Sequence, residues 1–171
     1  MLIIRRKLPA FEKVKELINS NVIDKIVFAD IQILQFRNKN IITKTETNRR
    51  LNPNISGGGY FHDIAPHQLN LMYYYYYYYY YYYGKIRSIQ DFSTSSANTN
   101  VDDIINGIIE FKNEIQFRGV WNFNISEKEV KDNCKIYGEK AAITFSYYGE
   151  KIFVSTYEYE DIFNFTNPKH I

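Results

Sequence analysis

The second half of the chain is built almost entirely from runs whose composition is typical of β-strands, at residues 86–93, 104–111, 115–125, 134–147 and 152–159. Run 115–125 is the clearest, because Phe117, Trp121 and Phe123 alternate with polar residues. Since successive side chains of a strand point to opposite faces, this alternation predicts one buried and one exposed face. Lys112-Asn113 is expected to form a two-residue hairpin turn.

The first half reads as two helices and a strand. Apolar residues at Phe11, Val14, Leu17 and Ile18 have helical spacing and predict a helix over 10–20. The β-branched composition of 25–36 predicts a strand, 37–56 a loop, and the residues after Gly57-Gly58-Gly59 a second helix over 59–75. Helices followed by consecutive strands indicate an α+β fold: an open-faced, mostly antiparallel mixed sheet with helices on one face.

The composition and charge of the chain argue against some classes of protein and partner. A chain of 171 residues is about one domain, and its formal charge of +2, with basic and acidic residues interspersed, argues against nucleic acid as a partner. No apolar run reaches the roughly 20 residues that cross a bilayer. The single cysteine, Cys134, forms no internal disulfide, is expected in the core and fits a cytoplasmic location.

Residues 73–83 are eleven consecutive tyrosines. We interpret them as a low-complexity insertion at a helix end, tolerated because it lies at the surface, into which the helix continues for several residues. An aromatic stacking platform is the alternative.

The candidate catalytic residues follow the three glycines. On a helix, Asp63 and His67 share a face, whereas His62 lies about 140° from His67. That separation disfavours a two-histidine metal site, and no metal is expected. A carboxylate beside an imidazole suits proton transfer, although a plain surface interaction explains the same spacing. Pro66 predicts a kink, or a new helix that starts there.

This segment resembles a family signature. The string Ser-Gly-Gly-Gly-x3-Asp-x3-His, at residues 56–67, is similar to that of the Gfo/Idh/MocA oxidoreductases. Arg5-Arg6 with Pro9-x-Phe11 resembles the start of that family's C-terminal domain, and Asn167-Pro168 the approach to its last helix. Arg50-Leu51-Asn52-Pro53 resembles its Trp-Arg-x-Asp-Pro, with Arg49 in place of Trp.

The resemblance implies a two-domain enzyme whose N-terminal Rossmann domain binds NAD or NADP. It would transfer a hydride between the nicotinamide and a secondary hydroxyl or carbonyl of a sugar, cyclitol or nucleotide sugar. By position, Asp63 would orient the substrate hydroxyl and His67 would remove its proton. Arg50 and His62 are the further candidates for substrate contact, and the open sheet face would mediate homo-oligomers.

Two family motifs are missing, because the chain has neither Gly-x-Gly-x-x-Gly after a strand nor Glu-Lys-Pro. We therefore expect residues 1–171 to be a single substrate-side domain, with 1–6 left from the connection to an absent Rossmann domain. Such a fragment is expected to bind no NAD(P) and to be inactive alone. A truncated, non-catalytic oligomerisation module and a regulatory small-molecule binder remain the alternatives.

Overall fold

The computed structural model describes residues 6–36, 57–83, 85–95 and 101–166. In chain order the elements are α1 (Pro9–Asn19), β1 (Ile26–Phe36), α2 (Tyr60–Tyr83), β2 (Ile86–Thr94), β3 (Ile104–Phe111), β4 (Gln116–Ile125), a short 3-10 helix (Glu127–Glu129), β5 (Lys131–Gly138), β6 (Ala141–Phe145), β7 (Lys151–Thr156) and β8 (Glu160–Asn164). Both predicted helices are present, and α2 extends through the tyrosine run to Tyr83.

All eight strands form one sheet in the order β2-β3-β4-β1-β5-β6-β7-β8. β1 runs parallel to β4, and every other neighbouring pair is antiparallel. The predicted open-faced, mostly antiparallel mixed sheet is therefore confirmed.

The core lies between the helices and one face of the sheet. The alternation in β4 buries Phe117, Trp121 and Phe123, as predicted. α1 contributes Phe11, Val14, Leu17 and Ile18, and the central strands contribute Ile31, Cys134, Ile136 and Ile143, all buried. Each of these large side chains gains about 1.5–3 kcal/mol from complete burial, so this layer holds the helices to the sheet.

Run 134–147 is divided between β5 and β6 at Gly138-Glu139-Lys140, residues whose composition indicates a turn or a bulge. Gly138 is required there because a Cβ would lie 1.9 Å from the carbonyl oxygen of Ile23. The last strands differ from the predictions. Run 152–159 ends at Thr156, and β8 was not predicted. The Thr156 hydroxyl accepts hydrogen bonds from the backbone of Glu158 and Tyr159, and so closes a hairpin without Gly or Pro.

The predicted two-residue turn between β3 and β4 is wrong. The Phe111 amide donates to the Ile115 carbonyl at 3.0 Å, which leaves three residues in the turn. Glu114 has φ of 69°, the left-handed position that glycine usually fills in a three-residue hairpin.

The third residue of the tyrosine run, Tyr75, belongs to the core. Tyr75 is 2% exposed and packs edge-on against Phe145, so the expectation that the run lies at the surface is wrong for this residue. Burial, followed by the neighbouring Cys134, Tyr74 and Tyr147, raises the pKa of the Tyr75 phenol well above its ordinary value. Within the described residues, no helix has the length and hydropathy that a bilayer crossing requires.

The sheet face opposite the helices, which we call the open face, combines apolar side chains with a central polar cluster. Phe92, Ile108 and Ile162 are 79%, 47% and 53% exposed there. In the middle of the sheet, Arg118 donates to the buried carboxylate of Asp30 at 2.9 Å, and Gln32 donates to its other oxygen. The hydrogen bond to Asp30 raises the pKa of Arg118.

Candidate active site on helix α2

The glycines before α2 bring the backbone close to neighbouring side chains. Gly57, Gly58 and Gly59 all have positive φ, a conformation that L-residues rarely adopt. A Cβ on Gly58 would lie 2.2 Å from Nδ1 of His62, and one on Gly59 would lie 2.9 Å from Val101. The glycines therefore set where the helix begins, and Asp63 makes an early helical bond to the Gly59 carbonyl at 3.3 Å.

α2 is continuous through Pro66, so the predicted restart of a second helix at this residue is wrong. Because proline has no amide hydrogen, it donates no helical bond to the carbonyl of His62, four residues earlier. This weak point lies immediately before His67.

Asp63 and His67 lie four residues apart on this uninterrupted helix, about 40° apart around its axis. Asp63 is exposed and His67 is half-buried, outside the apolar core. Within the described part of the chain, the His67 ring makes no hydrogen bond or ion pair with another residue. A neutral imidazole in this setting has a nitrogen lone pair with which to accept a proton.

The other two candidates do not join this pair. His62 lies on another side of α2, where its ring packs edge-on against Phe61. It lines a cavity of about 320 Å³ together with Asp91, Ser93 and Asp102. Two of these lining residues are joined by a hydrogen bond, which Ser93 donates to Asp102 at 2.6 Å. Arg50 lies outside the described residues.

A buried polar contact fixes the back of α2 to the sheet. Trp121 of β4 donates from Nε1 to Oε1 of Gln68 at 2.7 Å, and Gln68 is 0% exposed. Phe61 packs edge-on against the same indole, at 5.1 Å between ring centroids. Gln68 follows His67 directly, so this contact holds the helix at the candidate base. Sequence reasoning missed Gln68, and its signal was a polar residue on the apolar side of α2.

The three glycines before α2 do not leave the space that a dinucleotide site of the usual kind requires. The pyrophosphate of NAD(P) is usually held by glycines that leave open space at a helix N-terminus. Here the spaces over Gly58 and Gly59 are filled by His62 and Val101 of the same chain. No three His, Cys, Asp or Glu side chains in the described ranges are grouped so as to hold a metal ion.

The described residues form an eight-stranded open-faced sheet with two helices on one side, which is the fold of dehydrogenase C-terminal domains of the inositol dehydrogenase type. The sequence profile of the GFO/IDH/MocA C-terminal domain matches residues 11–144. The chain belongs to the GFO/IDH/MocA family.

Individual relatives agree with this assignment. An oxidoreductase of Formosa agariphila is 46% identical over 167 residues, covering 98% of this chain and 49% of that protein. An inositol dehydrogenase homolog of Azotobacter vinelandii, solved with NAD+, has a TM-score of 0.80 at 11% identity, covering 94% of this chain and 42% of that one. An aldose-aldose oxidoreductase of Caulobacter crescentus, solved with glycerol, has a TM-score of 0.75 at 15% identity, covering 96% and 47%. This chain spans about half the length of each.

Proposed function

We propose that this chain is the substrate-side domain of an NAD(P)-dependent oxidoreductase that transfers a hydride between the nicotinamide and a secondary hydroxyl or carbonyl of a sugar, cyclitol or nucleotide sugar. The observation that carries the proposal is the placement of Asp63 and His67 on one face of α2, with the imidazole outside the core. The Azotobacter relative solved with NAD+ and the Caulobacter relative solved with glycerol support the reaction class.

In this proposal the two side chains divide the work. The Asp63 carboxylate accepts a hydrogen bond from a substrate hydroxyl next to the reacting one and so orients the carbon that is oxidised. The neutral imidazole of His67 takes the proton of the reacting hydroxyl while the hydride leaves the same carbon for the nicotinamide, so one O–H and one C–H bond break and a carbonyl forms. General-base assistance of this kind contributes roughly 10² to 10⁴ in rate.

The nucleotide site belongs to another domain in this proposal, because the glycines before α2 are closed by His62 and Val101. Residues 1–171 would then be the substrate-side half, with 1–6 leading in from the cofactor domain. The single cysteine, buried and unpaired, fits the cytoplasmic location that we propose.

The test is an assay of the complete protein, meaning this domain together with the proposed cofactor domain. It is assayed against a panel of cyclitols, aldoses and nucleotide sugars, and the formation of NADH and NADPH is measured by absorbance. We expect oxidation of at least one compound with a free secondary hydroxyl, and none by residues 1–171 alone. Binding of a polyol without turnover of any panel member would contradict the proposal and favour a regulatory binder.

We also propose that the open face joins copies of this chain. Phe92 and Ile108 lie exposed on neighbouring strands at one end of the sheet, and Ile162 lies exposed on β8 at the other end; exposed apolar area on a sheet face typically marks an interface. The ion pair between the buried carboxylate of Asp30 and the half-exposed Arg118 gives that face a fixed polar centre, which would set the register between two copies. Were the catalytic proposal to fail, this interface would be the function left to an oligomerisation module.

A further inference from the structure

We propose that Arg6 is a positioning residue for His67, holding the face of α2 that carries the candidate base; the proposal rests on the function proposed above. The face in question consists of Asp63, His67, Asn70 and Tyr74, which we call the Asp63–Tyr74 stripe. At 3.6 residues per turn, these four positions fall within about 60° of one another around the axis of the continuous helix.

Arg6 contacts the stripe one turn beyond His67. Its Nε donates to Oδ1 of Asn70 at 2.8 Å, and its Nη2 donates to the backbone carbonyl of the same residue at 3.4 Å. Because helical side chains lean towards the N-terminus, the Asn70 amide points back towards the level of His67. A guanidinium held at two acceptors of one residue fixes both the side chain and the local backbone.

Arg6 also contacts the ring of Tyr74, one further turn along α2. The Arg6 guanidinium lies 5.1 Å from the centre of the Tyr74 ring, and Nζ of Lys15 on α1 lies 4.1 Å from the same centre. Cation–π contacts at these distances are attractive, because the ring face carries negative charge density. The two cations tie the segment before α1, and α1 itself, to the stripe.

Neighbouring cations serve a different purpose. Lys7 bonds Glu12 at 3.2 Å and Lys13 bonds Glu16 at 2.6 Å, both at the surface and neither on α2. Arg6 instead spans 64 residues of sequence to reach Asn70. Pro66 removes one helical bond next to His67. The Arg6 contact restrains α2 on the face that carries His67, in addition to the restraint that Gln68 and Trp121 supply on the buried side.

The test compares Arg6→Met with Lys7→Met. Lys7 is the matched control because it is the adjacent cation and bonds Glu12 on α1, not a residue of α2. In the full chain, NMR follows the Cε1–H signals of His62 and His67, assigned with His→Gln variants. We expect Arg6→Met to shift or broaden the His67 signal and to leave His62 unchanged. Arg6→Lys keeps the positive charge but loses the guanidinium that bonds Asn70 at two atoms, so we expect a smaller change in the His67 signal. This variant is measured in place of Arg6→Met if Arg6→Met folds poorly.

In the complete protein, Arg6→Met should lower kcat roughly 10- to 100-fold with KM within about threefold, as expected for misplacement of a reacting group. The pair Arg6→Lys with Asn70→Asp should recover much of the loss through a new ion pair. An unchanged His67 signal, or an equal loss in Lys7→Met, would overturn the proposal. If His67→Gln itself leaves kcat intact, the proposed function fails, while the NMR comparison still decides whether Arg6 positions the ring.

Discussion

Gln68 and Trp121 show how single residues connect the candidate site to the core. Their hydrogen bond of 2.7 Å joins two side chains that are 53 positions apart, and both are almost fully buried. Gly119 makes room for the indole, because a Cβ there would lie 2.0 Å from the ring. Losing one partner of a buried hydrogen bond costs about 1–3 kcal/mol, so this contact contributes to fold and site together.

Cys134 allows a prediction about alkaline stability. Burial, followed by the charges of Asp132 and Asp30, raises the pKa of its thiol well above the ordinary value. Below the ordinary pKa of about 8.5 both states keep the proton. Above it only the unfolded thiol ionises, so stability falls as pH rises. Between about pH 8.5 and 10, before tyrosines and lysines titrate, the loss approaches about 1.4 kcal/mol per pH unit.

Urea denaturation across this pH range tests the prediction. Cys134→Ala should have a lower stability at neutral pH and a flatter dependence on alkaline pH than the unmodified protein. Parallel slopes in the two proteins would show that Cys134 is not responsible.

At the scale of elements, the strand and helix patterns could be predicted where the signal is local. The alternation in β4 and the helical spacing in α1 depend on neighbouring residues, so both were predictable. β8 was not predicted because the turn before it is closed by the Thr156 hydroxyl and contains no glycine or proline, the residues that usually indicate a turn. The Asp63–His67 spacing was readable in the same local way. Gln68–Trp121 and Arg6–Asn70 were not, because they depend on how distant elements pack.

Pro66 gives a prediction for α2. Pro66→Ala restores an amide that can donate to the His62 carbonyl and removes the ring from the helix. We expect the free energy of unfolding to rise by about 1–3 kcal/mol and kcat of the complete protein to fall, because a tightened helix changes the aim of His67. Thermal unfolding and steady-state kinetics measure the two effects. Lower stability in Pro66→Ala, or higher stability with unchanged kcat, would contradict this account of the helix.

At the scale of the whole molecule, the two faces of the sheet differ in what covers them. Helices cover one face over the central strands, whereas the open face carries exposed apolar residues around Asp30 and Arg118. Ile89 and Ile108 are similarly exposed, at 58% and 47%, and lie on neighbouring strands. The register pairs Ile89 with Ile109 and Ile108 with Arg118, so the two isoleucines lie on opposite faces.

This pair provides a matched test of oligomerisation. Ile108→Lys should dissociate the oligomer, because it places a charge on the open face, whereas Ile89→Lys should leave the molar mass unchanged. Light scattering during size-exclusion chromatography measures both. Equal molar masses for the two variants and the unmodified protein would exclude the open face as the interface.

The central claim is that His67 acts as the general base of an oxidoreductase. The most direct measurement is kcat of the complete protein carrying His67→Ala, with added imidazole as a rescue and Glu158→Ala, in the exposed β7–β8 turn, as the control. The account predicts a fall of roughly 10² to 10⁴ in kcat, partial recovery with imidazole, a smaller loss in Asp63→Asn and no change in the control. A kcat for His67→Ala within about threefold of the unmodified enzyme would contradict it.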